Sequence, residues 1–154
     1  LFRKQEGVIS TRVGYIGGKR PNPTYEQVCT GVSGHAEALE VVFDPEVTSY
    51  KELLLFFFKM HDPTTKDRQH NDIGSQYRSA VFPVDTQQED ITARVIDRLN
   101  EKNIYGAKVV TTIEPLQKSG PFYEAEGYHQ DYLEKHPDGY NCHVLRLNLD
   151  LSDI

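Results

Sequence analysis

The chain has no tryptophan, a single methionine (Met60) and only two cysteines, Cys29 and Cys142, among its 154 residues. Two sulfurs so far apart do not make the disulfide framework of a small secreted domain. They suit a reducing, cytoplasmic compartment, where a thiol is redox-active, metal-binding or inert. Long apolar runs are missing as well. The longest, L-L-L-F-F-F at residues 53–58, is closed by charges on both sides and falls far short of the ~20 residues that span a bilayer. No stripe of basic residues offsets the formal net charge of −6, which works against nucleic acid or an anionic membrane surface as partner. Repeats, linkers and low-complexity tracts are also absent, so residues 1–154 read as a single domain with its own core, expected to be monomeric. Residue 1 is Leu, and L-F-R-K-Q looks like the last turn or two of a helix. The expectation is that the natural N-terminus, and whatever precedes that helix, is missing from this chain.

What is present alternates between strand and helix signals. Ile9, Thr11, Val13 and Tyr15 alternate with Ser10, Arg12 and Gly14, predicting a strand over about residues 8–16. G-G-K-R-P-N-P-T is a loop of turn residues, followed by a short turn over Thr24 to Cys29. A second strand carries Glu37. Ser49-x-x-Glu52 is a capping box ahead of a largely buried helix over about 50–60, and Thr86-x-x-Glu89 is a second, ahead of an amphipathic helix to about 102. Tyr77 to Val84 and Lys108 to Ile113 are expected as further strands. Phe122, Ala125, His129, Tyr132 and Leu133 mark one face of a last helix that ends near His136-Pro137. Strands and helices intermix without a strict βαβ rhythm. The fold class expected is α/β of the α+β type, a two-layer sandwich with a mixed β-sheet and packed helices, ferredoxin-like in the broad sense.

One position is out of keeping with its strand. In G-H-A-E-A-L-E-V-V-F, Glu37 shares its face with Leu39, Val41 and Phe43. Burial among carbon disfavours the charged form, raises the pKa and makes a proton donor for a developing oxyanion. The alternative is a strand-end carboxylate that reaches solvent or an arginine. N-D-I-G-S-Q-Y-R-S, residues 71–79, packs Asp72, an amide, the Tyr77 phenol and a guanidinium around one glycine, at a loop where a sheet can fix geometry. Tyr25 and Tyr77 are each either packing residues or hydrogen-bond donors to a substrate oxygen. Cys29 reads as an inert thiol, and Cys142, in the D-G-Y-N-C-H tail, as a sulfur mobile enough to reach another. His35, Cys29, Cys142 and His143 lack the close ligand pairs of a structural zinc site, so no bound metal or cofactor is expected.

These segments, in this order, resemble one family, the peptide methionine sulfoxide reductases of type A. The carriers are V-G-Y-I-G-G at 13–18, P-T-Y-E-Q-V-C-T-G-x-x-G-H-A-E-A at 23–38, H-D-P-T-T at 61–65, N-D-I-G-S-Q-Y-R-S at 71–79 and F-Y-x-A-E-x-Y-H-Q-x-Y-L at 122–133. The resemblance implies reduction of the S epimer of methionine sulfoxide, free or in proteins, with Glu37 as the acid that protonates the sulfoxide oxygen. It implies that Tyr25 and Tyr77 hold that oxygen, that Asp72 orients the pocket through water, and that Cys142 resolves a sulfenic acid into a disulfide. Thioredoxin, or dithiothreitol in vitro, is the implied reductant. The family's nucleophilic cysteine stands in a Gly-Cys-Phe-Trp-Gly segment that this sequence does not contain. It is therefore expected upstream of residue 1, and a chain beginning at Leu1 is expected not to turn over alone and to be marginal in solution. The competing readings are a domain that binds methionine sulfoxide without reducing it, and an unrelated acid–base hydrolase built on Glu37 and Asp72.

Overall fold

A computed structural model describes residues 2–18, 34–69, 72–125, 151, 152 and 154. A single 3₁₀ turn over Phe2–Lys4 leads into β1 (Val8–Ile16), and β2 (Ala36–Phe43) runs antiparallel to it. The ladder places Tyr15 opposite Glu37, Val13 opposite Leu39 and Arg12 opposite Glu40. Helix α1 (Tyr50–Met60) follows, then the two-residue strands β3 (Arg68–Gln69) and β4 (Asp72–Ile73), then β5 (Ala80–Val81). Helix α2 spans Thr86–Glu101, β6 is Thr112–Ile113, a short α3 covers Leu116–Ser119, and β7 is Tyr123–Glu124. Three ladders result among the described residues: antiparallel β2-β1-β7, antiparallel β3-β4 and parallel β5-β6. Both pairing senses and packed helices give the α/β class expected.

The first strand and both long helices form where the sequence places them, and their caps show why. Ser49 sits in extended backbone and its hydroxyl accepts from the Glu52 amide at 3.1 Å, while the Glu52 carboxylate accepts from Thr48 rather than closing the reciprocal half of the box. The start of α2 differs from the expected one by a residue. Asp85 is the cap, accepting from the Gln88 amide at 2.8 Å, and Thr86 is already helical. Asp85-x-x-Gln88 satisfies the same spacing rule, with the stronger capping side chain.

Leu54 and Phe58 of α1 meet Val95 and Leu99 of α2, with Val109 and Leu151 completing one buried cluster. Each such side chain contributes about 1.5–3 kcal/mol on leaving water. Thr92, fully buried on α2, gives its single hydroxyl proton to the Gln88 carbonyl, so the Tyr50 phenol is the donor in their 2.7 Å bond between the helices. The end of α1 leaves carbonyls that need partners. His61 meets the Phe57 carbonyl through Nδ1 at 2.7 Å, and the Tyr105 phenol donates to that of Phe58 at 2.6 Å. His61 then continues through Nε2 to the Ser79 hydroxyl at 2.7 Å, tying α1 to the start of β5.

Three expected elements are shorter or different. Tyr77 closes a 3₁₀ turn over Ser75–Tyr77 rather than opening a strand, and only Ala80–Val81 pairs before Pro83, which has no N–H to give. Of residues 108–113 only Thr112–Ile113 joins a ladder, because the Val109 and Val110 amides go to the Asn100 side chain and the Pro63 carbonyl. Phe122 and Ala125 were expected on a helical face. Instead Tyr123–Glu124 pairs with Gly14 and Tyr15, and the Ala125 amide donates to the Val13 carbonyl. Period-3.6 spacing cannot tell a short apolar strand from a helix start. The rest of that helix, with His129, lies outside the described residues, as does the Thr24–Cys29 turn.

Three substitutions test this framework. Asp85→Ala is expected to cost about 1 kcal/mol in urea unfolding, and Thr86→Ala much less. Phe58→Ala is expected to cost about 3–5 kcal/mol, since the site is closed on all sides.

Candidate active site

Glu37 stands one residue inside the head of β2, with Tyr15 as its cross-strand partner on the same face. Tyr15 is 1% exposed, whereas Glu37 and Leu39 are exposed. The face anticipated as apolar is therefore only partly covered, because β2 ends its ladder and has a described neighbour on one side alone. Water reaches the residue, yet protein crowds the carboxyl group enough to raise its pKa. Desolvation is the larger cause, and the negative charge of Asp72 adds to it.

Asp72 and Tyr77 come to this place through a tight turn. Asp72 begins β4 opposite Gln69, a buried amide whose oxygen accepts from the Asp62 amide and whose nitrogen donates to the Asp62 carbonyl at 2.7 Å. H-D-P-T-T is thus the support of the Asp72 strand. Gly74 turns the chain at φ +141°, and a Cβ there would collide with the Gln76 side chain folded over it. The Gly74 amide returns to the Asp67 carbonyl at 2.8 Å, and its own carbonyl accepts from Tyr77 at 3.0 Å. Tyr77 ends half-buried on the same turn.

Arg78, Glu114, Gly17 and His35, none of them among the site residues read from the sequence, brace this arrangement. Arg78 donates from Nε and Nη2 to both carboxylate oxygens of Glu114 at 3.0 and 2.9 Å, and from Nη1 to the Ser75 and Gly34 carbonyls at 2.9 and 3.3 Å. Gly17, at φ +90°, lies so close that a Cβ would come within 2.9 Å of the guanidinium. His35, 1% exposed, accepts from the Gly18 amide through Nδ1 at 3.1 Å, which leaves its proton on Nε2. No spacing rule picks out an Arg–Glu pair 36 positions apart, but the guanidinium in Q-Y-R-S is itself a visible signal.

Of the five site residues read from the sequence, Glu37, Asp72 and Tyr77 are described and Glu37 is brought within the field of Asp72. Tyr25 and Cys142 lie outside the described residues, as do Cys29 and His143. Among the described residues no group of three His, Cys, Asp or Glu side chains is arranged to hold a metal, and no helix is long and apolar enough to cross a membrane.

The two shifted carboxyls act on stability in opposite directions. Burial alone would raise Glu114, but bonds from Arg78 and Thr112 and the Arg78 charge outweigh it and hold the group below its ordinary range. Its contribution is present above the unfolded pKa and is lost as pH falls through the folded one. Glu37 is raised, so its contribution is fully present below the unfolded pKa and is lost as pH rises from there through the folded one. Glu37→Gln should therefore raise the unfolding temperature at about pH 7 and leave it unchanged near pH 3, while Glu114→Gln should lower it at about pH 7. Thermal unfolding at the two pH values checks both signs.

A sequence model described as peptide methionine sulfoxide reductase matches residues 1–152. The peptide methionine sulfoxide reductase MsrA of Mycobacterium tuberculosis strain H37Rv is 53% identical over 146 residues, covering 95% of this chain and 76% of the relative. Mxr1 from Saccharomyces cerevisiae in reduced form superposes with a TM-score of 0.83 at 38% identity, over 91% of this chain and 79% of that one. Mxr1 in complex with Trx2 matches with a TM-score of 0.56 at 27% identity, over 91% and 73%. The chain belongs to the peptide methionine sulfoxide reductase family.

Proposed function

We propose that this chain supplies the acid, the oxygen-binding groups and the resolving thiol for reduction of the S epimer of methionine sulfoxide, free or within proteins. The observation that carries the assignment is Glu37, a carboxyl made harder to ionise by crowding and by Asp72, on the rigid β1–β2 ladder.

The chemistry follows from the polarity of the sulfoxide. A thiolate attacks the sulfoxide sulfur, and the oxygen must gain a proton as its bond to that sulfur weakens. Glu37 in its protonated form gives that proton, while Tyr77 and Tyr25 donate hydrogen bonds to the same oxygen. Asp72 acts from a distance, holding Glu37 protonated through repulsion and ordering water in the pocket. The oxygen passes to the attacking sulfur as sulfenic acid, and methionine leaves as the thioether. Cys142 then displaces hydroxide from the sulfenic sulfur, giving a disulfide and water. The attacking thiolate is assigned to the family's Gly-Cys-Phe-Trp-Gly segment, in which neither cysteine of this chain stands. Two electrons and two protons from a dithiol restore both cysteines by exchange. The Trx2 complex of the yeast relative supports a thioredoxin in that role, and the thiol chemistry suits a reducing compartment such as the cytoplasm.

The test is single-turnover reduction of a methionine S-sulfoxide peptide by the protein carrying the family's cysteine segment. Glu37→Gln should retain substrate binding and lose about 10²–10⁴-fold in rate. Asp72→Asn should move the alkaline limb of the rate profile to lower pH, because removing the neighbouring charge lets Glu37 ionise sooner. An unchanged rate in Glu37→Gln would remove that residue from the mechanism.

A further inference from the structure

The Arg78–Glu114 pair is placed where a stabilising surface ion pair has no reason to be. Arg78 is 14% and Glu114 25% exposed, so water and salt screen the pair poorly. Its guanidinium reaches four acceptors on three separate segments: both Glu114 oxygens, the Ser75 carbonyl and the Gly34 carbonyl. Gly34 lies three residues before Glu37 on the same strand approach. Ser75 lies three residues after Asp72 in the turn that also carries Tyr77. The guanidinium is therefore the direct link between the segment bearing the acid and the segment bearing its electrostatic neighbour and a phenol. Glu114 fixes the plane of the fork from outside, and Thr112 fixes Glu114 in turn by donating to Oε2 at 2.8 Å. Gly17 lies over the pair, and the adjoining Gly18 amide holds His35 at the head of β2.

We propose that Arg78, oriented by Glu114, is a positioning residue that sets the separation of Glu37 from Asp72 and Tyr77. This rests on the assignment of those three residues to sulfoxide reduction. A planar fork with donors in fixed directions can serve a bidentate carboxylate and two carbonyls at once. The point charge of lysine cannot, although it preserves the charge and most of the bulk. With the link loosened, the strand head and the Asp72 turn drift apart, water enters between them, and the phenol and the acid no longer converge on one oxygen.

The test compares Arg78→Lys, Glu114→Gln and the double variant by two readouts. The first is the Glu37 carboxyl resonance, titrated by carbon NMR in the 154-residue chain. The second is single-turnover reduction and substrate affinity in the protein carrying the family's cysteine segment. Arg78→Lys should move the Glu37 midpoint down toward the ordinary carboxyl range and slow the chemical step about 10²-fold, with little change in substrate affinity. The double variant should be no slower than the worse single one, since both break one device. If Arg78→Lys lowers the unfolding temperature but leaves the Glu37 midpoint and the rate unchanged, the pair is structural and the proposal is overturned. Should Arg78→Lys fail to fold, Glu114→Gln carries the same two readouts with Arg78 in place. If the unsubstituted protein does not reduce the S epimer, the reading of the reaction fails, and the Glu37 midpoint alone then decides the positioning role.

Discussion

A carboxyl group made harder to ionise by its surroundings is the constraint around which the rest of this structure is arranged. Glu37 attains this state by two effects of the same sign, loss of water around its head and the charge of Asp72. Together they require two segments, the head of β2 and the turn after β4, to be held close although their charges repel. That repulsion costs the folded state whenever both groups are ionised, and the surrounding structure has to exceed it.

The devices that do so are polar rather than apolar. The apolar cluster of α1, α2 and Val109 supplies general stability away from the acid. On the segments that carry the acid and Asp72 lie Arg78 with its four bonds and the Gln69 amide braced on Asp62, while the His61–Ser79–Thr111 relay of 2.7 Å contacts joins α1, β5 and the approach to β6. Such directional contacts fix positions more narrowly than side-chain packing alone, which suits a site where an acid and a phenol must meet one oxygen. The glycines of V-G-Y-I-G-G and D-I-G-S belong to the same device, since Gly17 lets backbone lie on the guanidinium and Gly74 lets Gln76 fold back over the turn.

Much of this was legible in the sequence wherever a local rule applies. The strand over residues 8–16 and the Ser49 cap each depend on neighbours in the chain, and both appear where expected. Failures fall where distant partners decide. Tyr77 looked like a strand start because β-branched and aromatic residues follow it, but the Tyr77 and Arg78 amides close a 3₁₀ turn on the Gly74 and Ser75 carbonyls there first, and Arg78 ties that turn to distant Gly34. Phe122 and Ala125 fit a helical face, yet β1 captures that stretch as a strand. For Glu37, the sequence set the acid on one face with Leu39, Val41 and Phe43 but could not show that this face is only partly covered, with Glu37 exposed and Leu39 beside it 40% exposed. The Arg78–Glu114 pair joins residues far apart in sequence, and only the folded chain shows that they meet.

The account stands or falls on stereospecific oxygen removal. The direct measurement is turnover of methionine S-sulfoxide and R-sulfoxide peptides with dithiothreitol, by the 154-residue chain and by the same chain preceded by the family's Gly-Cys-Phe-Trp-Gly segment. Reduction of the S epimer alone, and only where that cysteine is present, is the predicted result. Equal reduction of both epimers, or none by either protein, would contradict it.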